Sequence, residues 1–571
     1  LEQREPLSVG PPVHLLGQGT VDRRVPEYPL DRERLSAANQ RANANTGNDC
    51  TRRAHVRGRS IARGHQPGAL THGGACGDTG HVPHAARERY LWLGLALAAL
   101  VPRAVAAMLR PPWHDEYFTV WAAGLPLHEL LAALRLDSGP PVPYLLVKFV
   151  TIFGVPALLA ARALGVAAGT AAVLLAARAA RREFGAEAGW WTGALLAFHP
   201  LAVAWSSEGR AYALLLLAVT WSWDRLGALA RGLGGALGLG FAVALACWSH
   251  GLGLLLAATV AVVGMTLPRP ARWRALTAVA VGLATLLPWL PVAAHQPPAA
   301  IAWMAAFWHT APPVPKLAAA VRLLSPLGGF GAFLDLPSPP EWAEAGAAAV
   351  FLALLASACR MWGTAWRPLL GVVLPAGILA ALTAMGVAVF YPGRGEALYL
   401  MPFLLLLGAG SARFRLLRAA AAVLVLSAAG VTTVAIARWA QQPPSTEQRL
   451  ASELRHRLPR GGEVVIGGYW RLGIAYHLGA ERSGFRLVNY PASAAAHPGW
   501  YQDGSDTPAP GELARLVATL RPTNSRAAVV VTPGLSTALD LDRLAAALGL
   551  QPAVTVPGAR LWLPGTAGSP P

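Results

Sequence analysis

Apolar runs of roughly bilayer-spanning length recur from Tyr90 to Trp439, separated by short polar loops. A helix needs about 20 apolar residues to cross the hydrocarbon core. The pattern predicts crossings at 90–109, 156–177, 188–205, 211–228, 235–249, 251–267, 275–294, 345–361, 368–391, 397–411 and 419–438. A shorter run at 142–154 reads as a re-entrant or partial segment rather than a complete crossing, given the arginines after 156–177. The chain therefore reads as an α-helical polytopic membrane protein with about 11–13 transmembrane helices. Between the first crossing and the short run, Val120, Trp121, Leu125, Leu127, Leu130, Leu131 and Leu134 mark the apolar side of short helices at 116–136. Helices of this kind lie in the membrane interface. The turn Gly139-Pro140-Pro141-Val142-Pro143-Tyr144 ends that region.

From about Gln441 the pattern becomes that of a small soluble domain, 441–571, roughly 130 residues and a plausible domain size. Apolar runs at Glu463–Ile466, Arg486–Val488 and Ala527–Val531 predict strands. They alternate with helical patterns at 446–457, 470–479, 511–520 and 538–549, which predicts an α/β domain with a mostly parallel sheet. Gly467-Gly468-Tyr469-Trp470 follows a strand but lacks dinucleotide-binding spacing. At the other end, 1–86 is rich in Arg, Gly, Pro, His and Asn without apolar periodicity. It is expected to be disordered, and it has no signal-peptide pattern. It reads as translated upstream sequence or as a cytoplasmic tail.

The chain is 571 residues, 54% hydrophobic and 14% charged, with mean hydropathy +0.40, against about a quarter charged for soluble domains. Its net charge of +18 invites a nucleic-acid reading, but the arginines cluster in short loops between apolar runs. The positive-inside rule accounts for that placement, so no nucleic-acid partner is expected. Arg87 and Arg89 put the N-terminus in the cytoplasm. The arginine-dense loops then fall on one face of the membrane, while Asp115, Glu116, Glu208, Arg210, His250, Arg394 and Glu396 fall on the other. Cys50, Cys76, Cys247 and Cys359 have neither disulfide-framework nor zinc-site spacing.

The stretch Arg110-Pro-Pro-Trp-His-Asp-Glu-Tyr-Phe-Thr-Val120 sets two adjacent carboxylates, Asp115 and Glu116, just beyond the first crossing. Acids there serve as plain helix caps or as a general base with its support. Adjacent helical residues point about 100° apart, so the two acids need not share one site. Glu208 and Arg210, with Tyr212 next to them, form a second group, which equally suits a simple ion pair at a span end. His250 interrupts an apolar stretch, and Arg394 and Glu396 lie in a glycine-rich loop.

Taken in order, these elements resemble the polytopic C-type (GT-C) glycosyltransferases, family 39-like, related to protein O-mannosyltransferases and the lipid A aminoarabinose transferase. The resemblance rests on His114-Asp115-Glu116, Pro140-Pro141-Val142-Pro143-Tyr144, Ser207-Glu208-Gly209-Arg210-Ala211-Tyr212, Ser249-His250-Gly251, and Arg394 with Tyr399 and Pro402. It covers about 89–440. Gly209 departs from it, standing where alanine is expected.

The resemblance implies a GT-C-like membrane domain over 87–440 with the extracytoplasmic loop 110–141, and an extracytoplasmic domain over 441–571. It implies transfer of a hexosyl or pentosyl group from a polyprenyl-phosphate donor to a lipid, glycan or protein acceptor, in the bacterial inner membrane. Asp115 would be the base and Glu116 its supporting acid. Arg210 and Arg394 would hold phosphate, Glu208 would hold Arg210, and Tyr212, His250 and Tyr399 would contact substrate. No cofactor is firmly implied; a divalent metal is left open, since some relatives use one and others do not. The competing reading is a transporter or lipid flippase, which would show paired repeats with broken helices at midplane.

Overall fold

The computed structural model describes residues 84–137, 139–296, 341–360, 362–385, 393–468, 470–479, 484–497, 499, 507–533 and 537–565. The N-terminal stretch 1–83, Cys50 and Cys76 within it, most of the loop expected at 295–343, and Tyr391-Pro392 lie outside the described residues.

Helices α1 (His84–Leu109), α2 (His114–Gly124), α3 (Leu127–Arg135), α4 (Val142–Thr151), α5 (Ala157–Phe184), α6 (Ala186–Phe198), α7 (Pro200–Ser207) and α8 (Tyr212–Ala230) begin the fold. They are followed by α9 (Ala236–Ser249), α10 (Gly253–Met265), α11 (Arg269–Ala284), α12 (Leu290–Ala293), α13 (Glu341–Cys359), α14 (Trp362–Ala384), α15 (Leu400–Ser411) and α16 (Arg415–Gln441). Six helices among the described residues are long and apolar enough to cross a membrane: α1, α5, α8, α11 with its extension through α12, α14 and α16. The chain is an integral membrane protein. At 10 residues, α4 is too short to cross alone, since a helix rises only about 1.5 Å per residue. Helices α2 and α3 form the short elements expected over 116–136, α2 beginning two residues earlier at His114.

The sequence reads 188–205 as one crossing, but the chain breaks it into α6 and α7 at His199-Pro200. Proline disfavours helical backbone at the residue before it, and His199 accordingly sits at φ −59°, ψ 118°. The break strips partners from the last carbonyls of α6, and Arg103 of α1 supplies them. Its Nη1 donates to Ala197 O at 2.8 Å and its Nη2 to Leu196 O at 3.0 Å, while Nε donates to Ser206 Oγ at 3.2 Å. A buried cation within a span is costly, and the negative end of the α6 dipole offsets that cost.

Helix α5 makes room for α7 with Gly165 and Gly169: a Cβ at Gly165 would lie 2.8 Å from Ser206 O, and one at Gly169 would overlap Ser206 Oγ. Small residues four apart let helix backbones approach closely. Gly169→Ala should therefore destabilise the folded protein by about 1–3 kcal/mol, the usual range for overpacking. Thermal unfolding in detergent reads this as a lowered midpoint, and an unchanged midpoint would refute the close packing.

One end of the bundle is closed by charge. Asp224 near the end of α8 is fully buried, and it accepts from Arg178 Nη2 at 2.7 Å and Arg182 Nη1 at 2.8 Å. Arg225 pairs with it as well. The opposite end carries α2, α3, the turn between α7 and α8, and His250.

Beyond α16, the chain forms α17 (Thr446–Arg457), β1 (Glu463–Ile466), α18 (Arg471–Leu478), β2 (Arg486–Asn489), α19 (Glu512–Leu520), β3 (Ala527–Val531), α20 (Ala538–Ala547), β4 (Leu550–Val556) and β5 (Ala559–Pro564). The sheet order is β2-β1-β3-β5-β4. Strands β2, β1 and β3 are parallel, β5 runs antiparallel to β3, and β4 runs antiparallel to β5. Every residue of β3 is buried, as befits a strand covered on both faces. The β4–β5 hairpin is absent from the sequence reading. Its turn holds Gly558 at φ 77°, and Pro552 sits in the edge strand, where a missing N–H is tolerated.

Candidate functional site

Pro111 and Pro112 follow Arg110, one residue beyond α1, and α2 starts two residues after them. Proline lacks the amide a helix interior needs, so α2 sets off in a new direction with both acids in its first turn. Their surroundings differ sharply.

Glu116 is fully buried. Its Oε1 accepts from Arg162 Nε at 2.8 Å and Gly209 N at 2.9 Å, and its Oε2 from Arg162 Nη2 at 2.7 Å and Trp113 N at 3.3 Å. That is a two-pronged charged pair, the strong form of carboxylate recognition, with two backbone amides added. Arg162, on α5, also donates from Nη1 to Ala107 O at 2.6 Å and Arg110 O at 2.8 Å. The pair thus ties the end of α1 and the starts of α2 and α5 to the turn before α8.

Asp115 lies differently. Its side chain is 13% exposed and ion-pairs with Arg210 Nη2 at 3.3 Å. Arg210 Nη1 also reaches the Asp115 carbonyl, at 3.5 Å. Of the two acids, Asp115 is the one with an open side.

The sequence motif pairs Glu208 with Arg210; the structure separates them. Glu208 is 2% exposed and ion-pairs with Arg110 Nη1 at 3.3 Å. Arg110 in turn covers the Trp439 ring, 5.1 Å from its centroid. The turn at Gly209 sends the two side chains to different partners, because the Gly209 amide is held by Glu116. Burial pushes the Glu208 carboxyl up to about 7, against the pull of Arg110. Gly209, the departure from the family pattern, has a steric reason: a Cβ there would lie 2.8 Å from Ala161 Cβ.

Of the remaining candidates, Tyr212, His250 and Arg394 gather near Arg210, while Tyr399 sits beside Glu396. Tyr212 is buried and its ring lies 5.1 Å from that of His250. His250 Nδ1 accepts from Leu252 N at 3.1 Å, which leaves Nε2 as the N–H donor of the neutral ring. Burial, with Arg394 and Arg210 nearby, pushes the imidazole well below its usual range. Arg394 precedes a 3-10 turn, Gly395–Leu398, and the loop is anchored by Trp205 Nε1 donating to Gly393 O at 2.8 Å. Gly393 has φ +84°, a conformation that favours glycine. Tyr399 is buried beside Glu396, whose carboxyl burial pushes up to about 8.

The motifs miss Arg110, Arg162 and Asp137. Asp137 is 4% exposed and accepts from Tyr144 Oη at 3.3 Å, and both lie within electrostatic reach of Arg210. The only sequence signal for it is its place as a lone acid just before Gly139-Pro140-Pro141. Among the described residues no group of three or more His, Cys, Asp or Glu side chains is placed to hold a metal ion. Cys247 and Cys359 are free.

No family model matches the chain, and no curated protein does. Solved structures do. ArnT from Cupriavidus metallidurans bound to undecaprenyl phosphate is 15% identical, over 84% of this chain and 98% of that one, with a TM-score of 0.43. The Archaeoglobus fulgidus oligosaccharyltransferase in the apo form is 13% identical, over 79% and 70%, at 0.46. Arabinofuranosyltransferase AftD from Mycobacteria is 15% identical, over 84% and 42%, at 0.40. All three are GT-C glycosyltransferases, the class that the ordered motifs resemble. Likenesses with TM-scores this low assign no residue roles.

Proposed function

We propose that this protein is a membrane glycosyltransferase that moves a sugar from a polyprenyl-phosphate donor to an extracytoplasmic acceptor, with Asp115 as the base. The observation that carries the reading is the convergence on Arg210. Asp115 of α2, Tyr212 of α8, His250 after α9 and Arg394 before α15 come from distant parts of the chain and gather around it. A partly open carboxylate beside a guanidinium, with a second guanidinium and a neutral imidazole donor near, suits phosphate recognition next to proton abstraction.

In the reaction, Asp115 takes the proton of the acceptor hydroxyl as its oxygen bonds to the sugar C1. The bond from C1 to the phosphate oxygen breaks through an oxocarbenium-like transition state. Polyprenyl phosphate leaves, its growing charge met by Arg210 and Arg394, and Asp115 then returns the proton to water. Arginine-rich loops at the other end of the bundle support, by the positive-inside rule, a site and a C-terminal domain that face away from the cytoplasm. The bacterial inner membrane is the compartment that fits.

The transporter reading draws on the α6–α7 break, since broken helices build transporter sites. Here the freed carbonyls are occupied by Arg103 of the protein itself, which favours the enzyme. The test uses labelled undecaprenyl-phosphate hexoses and pentoses in membranes holding the protein, and measures loss of donor, release of undecaprenyl phosphate and label in an acceptor. Transfer from one member of the panel is expected; label that crosses the bilayer with the sugar–phosphate bond intact would overturn the enzyme reading.

A further inference from the structure

Helix α2 has two working faces. Asp115 and Glu116 turn to Arg210 and Arg162 of the membrane helices. His114, Tyr117 and Phe118, at the helical spacings i, i+3 and i+4, turn instead to the C-terminal α/β domain. His114 Nε2 meets Gly499 O. Tyr117 Oη shares a 2.7 Å hydrogen bond with His477 Nε2 of α18, and Phe118 stacks on His497 with ring centroids 4.8 Å apart.

The approach is close enough to require glycine on the domain side. A Cβ at Gly473 would lie 2.9 Å from Tyr117 Cε2, and one at Gly499 would lie 2.9 Å from Phe118 Cδ2. Leu472 of α18 joins the apolar cluster around Tyr117, Phe118, Leu130, Leu134 and Tyr144. Tyr117 and Phe118 are at most 1% exposed. With 11 residues, α2 is too short to hold its own shape in water, so its position is set by what grips it. The C-terminal domain grips it on both sides of Asp115 in sequence.

We propose that the C-terminal domain is part of the reaction centre: through the His477–Tyr117 hydrogen bond it holds α2 in the setting that presents Asp115, and His477 is a positioning residue. The proposal rests on the glycosyltransferase reading for its kinetic consequence, while the grip itself can be read without activity. Nothing in the proposal requires His477 to touch substrate. It predicts an effect on turnover rather than on donor binding, because misplacing a reacting group by about 1 Å can cost on the order of a hundredfold.

The experiment compares full-length wild type with His477→Ala, His477→Gln, Tyr117→Phe and the double variant Tyr117→Phe/His477→Ala, all in membranes. His477→Ala and Tyr117→Phe should each lower kcat at least about tenfold with donor KM unchanged, in line with that sensitivity to placement. His477→Gln, which keeps a hydrogen-bonding group at similar reach, should recover most of the loss. The double variant should be no worse than Tyr117→Phe, which removes the His477 bond together with the 3.2 Å bond from Tyr117 Oη to Pro112 O, whereas His477→Ala removes only the former. Wild-type kcat in His477→Ala, or additive losses without rescue by Gln, would overturn the proposal.

Hydrogen exchange on the same proteins is the second arm. Amides of 116–122 should exchange faster in His477→Ala than in wild type, with α5 and α8 unchanged. Equal exchange along α2 would overturn the grip whatever the kinetics. If the wild type moves no sugar, the glycosyltransferase reading fails, and the exchange arm still decides the grip.

Discussion

Arg162→Ala is expected to yield little or no folded protein. The side chain is 8% exposed and its partner Glu116 is fully buried, so solvent cannot replace what is removed. The variant would leave Glu116 with only the amides of Gly209 and Trp113, and would orphan the carbonyls of Ala107 and Arg110. Breaking a buried pair by deleting one partner costs about 3–5 kcal/mol, a large share of the roughly 5–15 kcal/mol that stabilises a typical protein. Thermal unfolding and size-exclusion behaviour in detergent measure the loss. The double variant Arg162→Met/Glu116→Met should regain much of it, because replacing both charges removes the uncompensated one.

That double variant also separates the two acids. If it folds and still transfers sugar at a measurable rate, Glu116 is an anchor of the α1–α2 corner rather than a supporting acid for Asp115. A folded but inactive double variant would return Glu116 to the chemistry. Wild-type melting in Arg162→Ala would remove the corner's structural role altogether.

The sequence shows features carried by local pattern and hides those that depend on partners far along the chain. Apolar length marks the six helices long enough to cross, because lipid imposes it. Strands β1 and β3 fall at their expected bounds, each a short apolar run between polar flanks. The β4–β5 hairpin was hidden because Gln551 and Pro552 disturb the alternation at its start. His199-Pro200 could have signalled the break in 188–205, but a proline inside an apolar run is also tolerated by membrane helices.

Arginine misled most. Read from the sequence as a mark of cytoplasmic loops, it leaves Arg103 and Arg162 inside apolar runs without a signal of their own. Yet Arg103 finds its acceptors 93 and 94 residues away, and Arg162 finds Glu116 46 residues away. Similarly, Glu208 and Arg210 are neighbours in sequence, and sequence alone pairs them. Their separation follows from Gly209, whose amide is taken by Glu116, and from Arg110, whose chain position gives no hint that it reaches Glu208.

Asp115→Asn should cut turnover sharply while leaving a folded protein that still binds donor. The substitution keeps the shape of the side chain and removes the charge that meets Arg210. Both partners are partly exposed, 13% and 17%, so the released guanidinium can be met by water, and stability should change little compared with Arg162→Ala. General-base catalysis contributes about 10²–10⁴-fold, and kcat should fall within that range. Donor affinity should hold or tighten, because Arg210 no longer shares its charge with a carboxylate and is free for the phosphate. Single-turnover transfer and donor binding, measured on the same preparation, separate the two effects. If the variant turns over like the wild type, Asp115 is only a partner for Arg210. With Glu208 held by Arg110, the other carboxylate within electrostatic reach of that guanidinium is Asp137, which accepts from Tyr144 Oη at 3.3 Å.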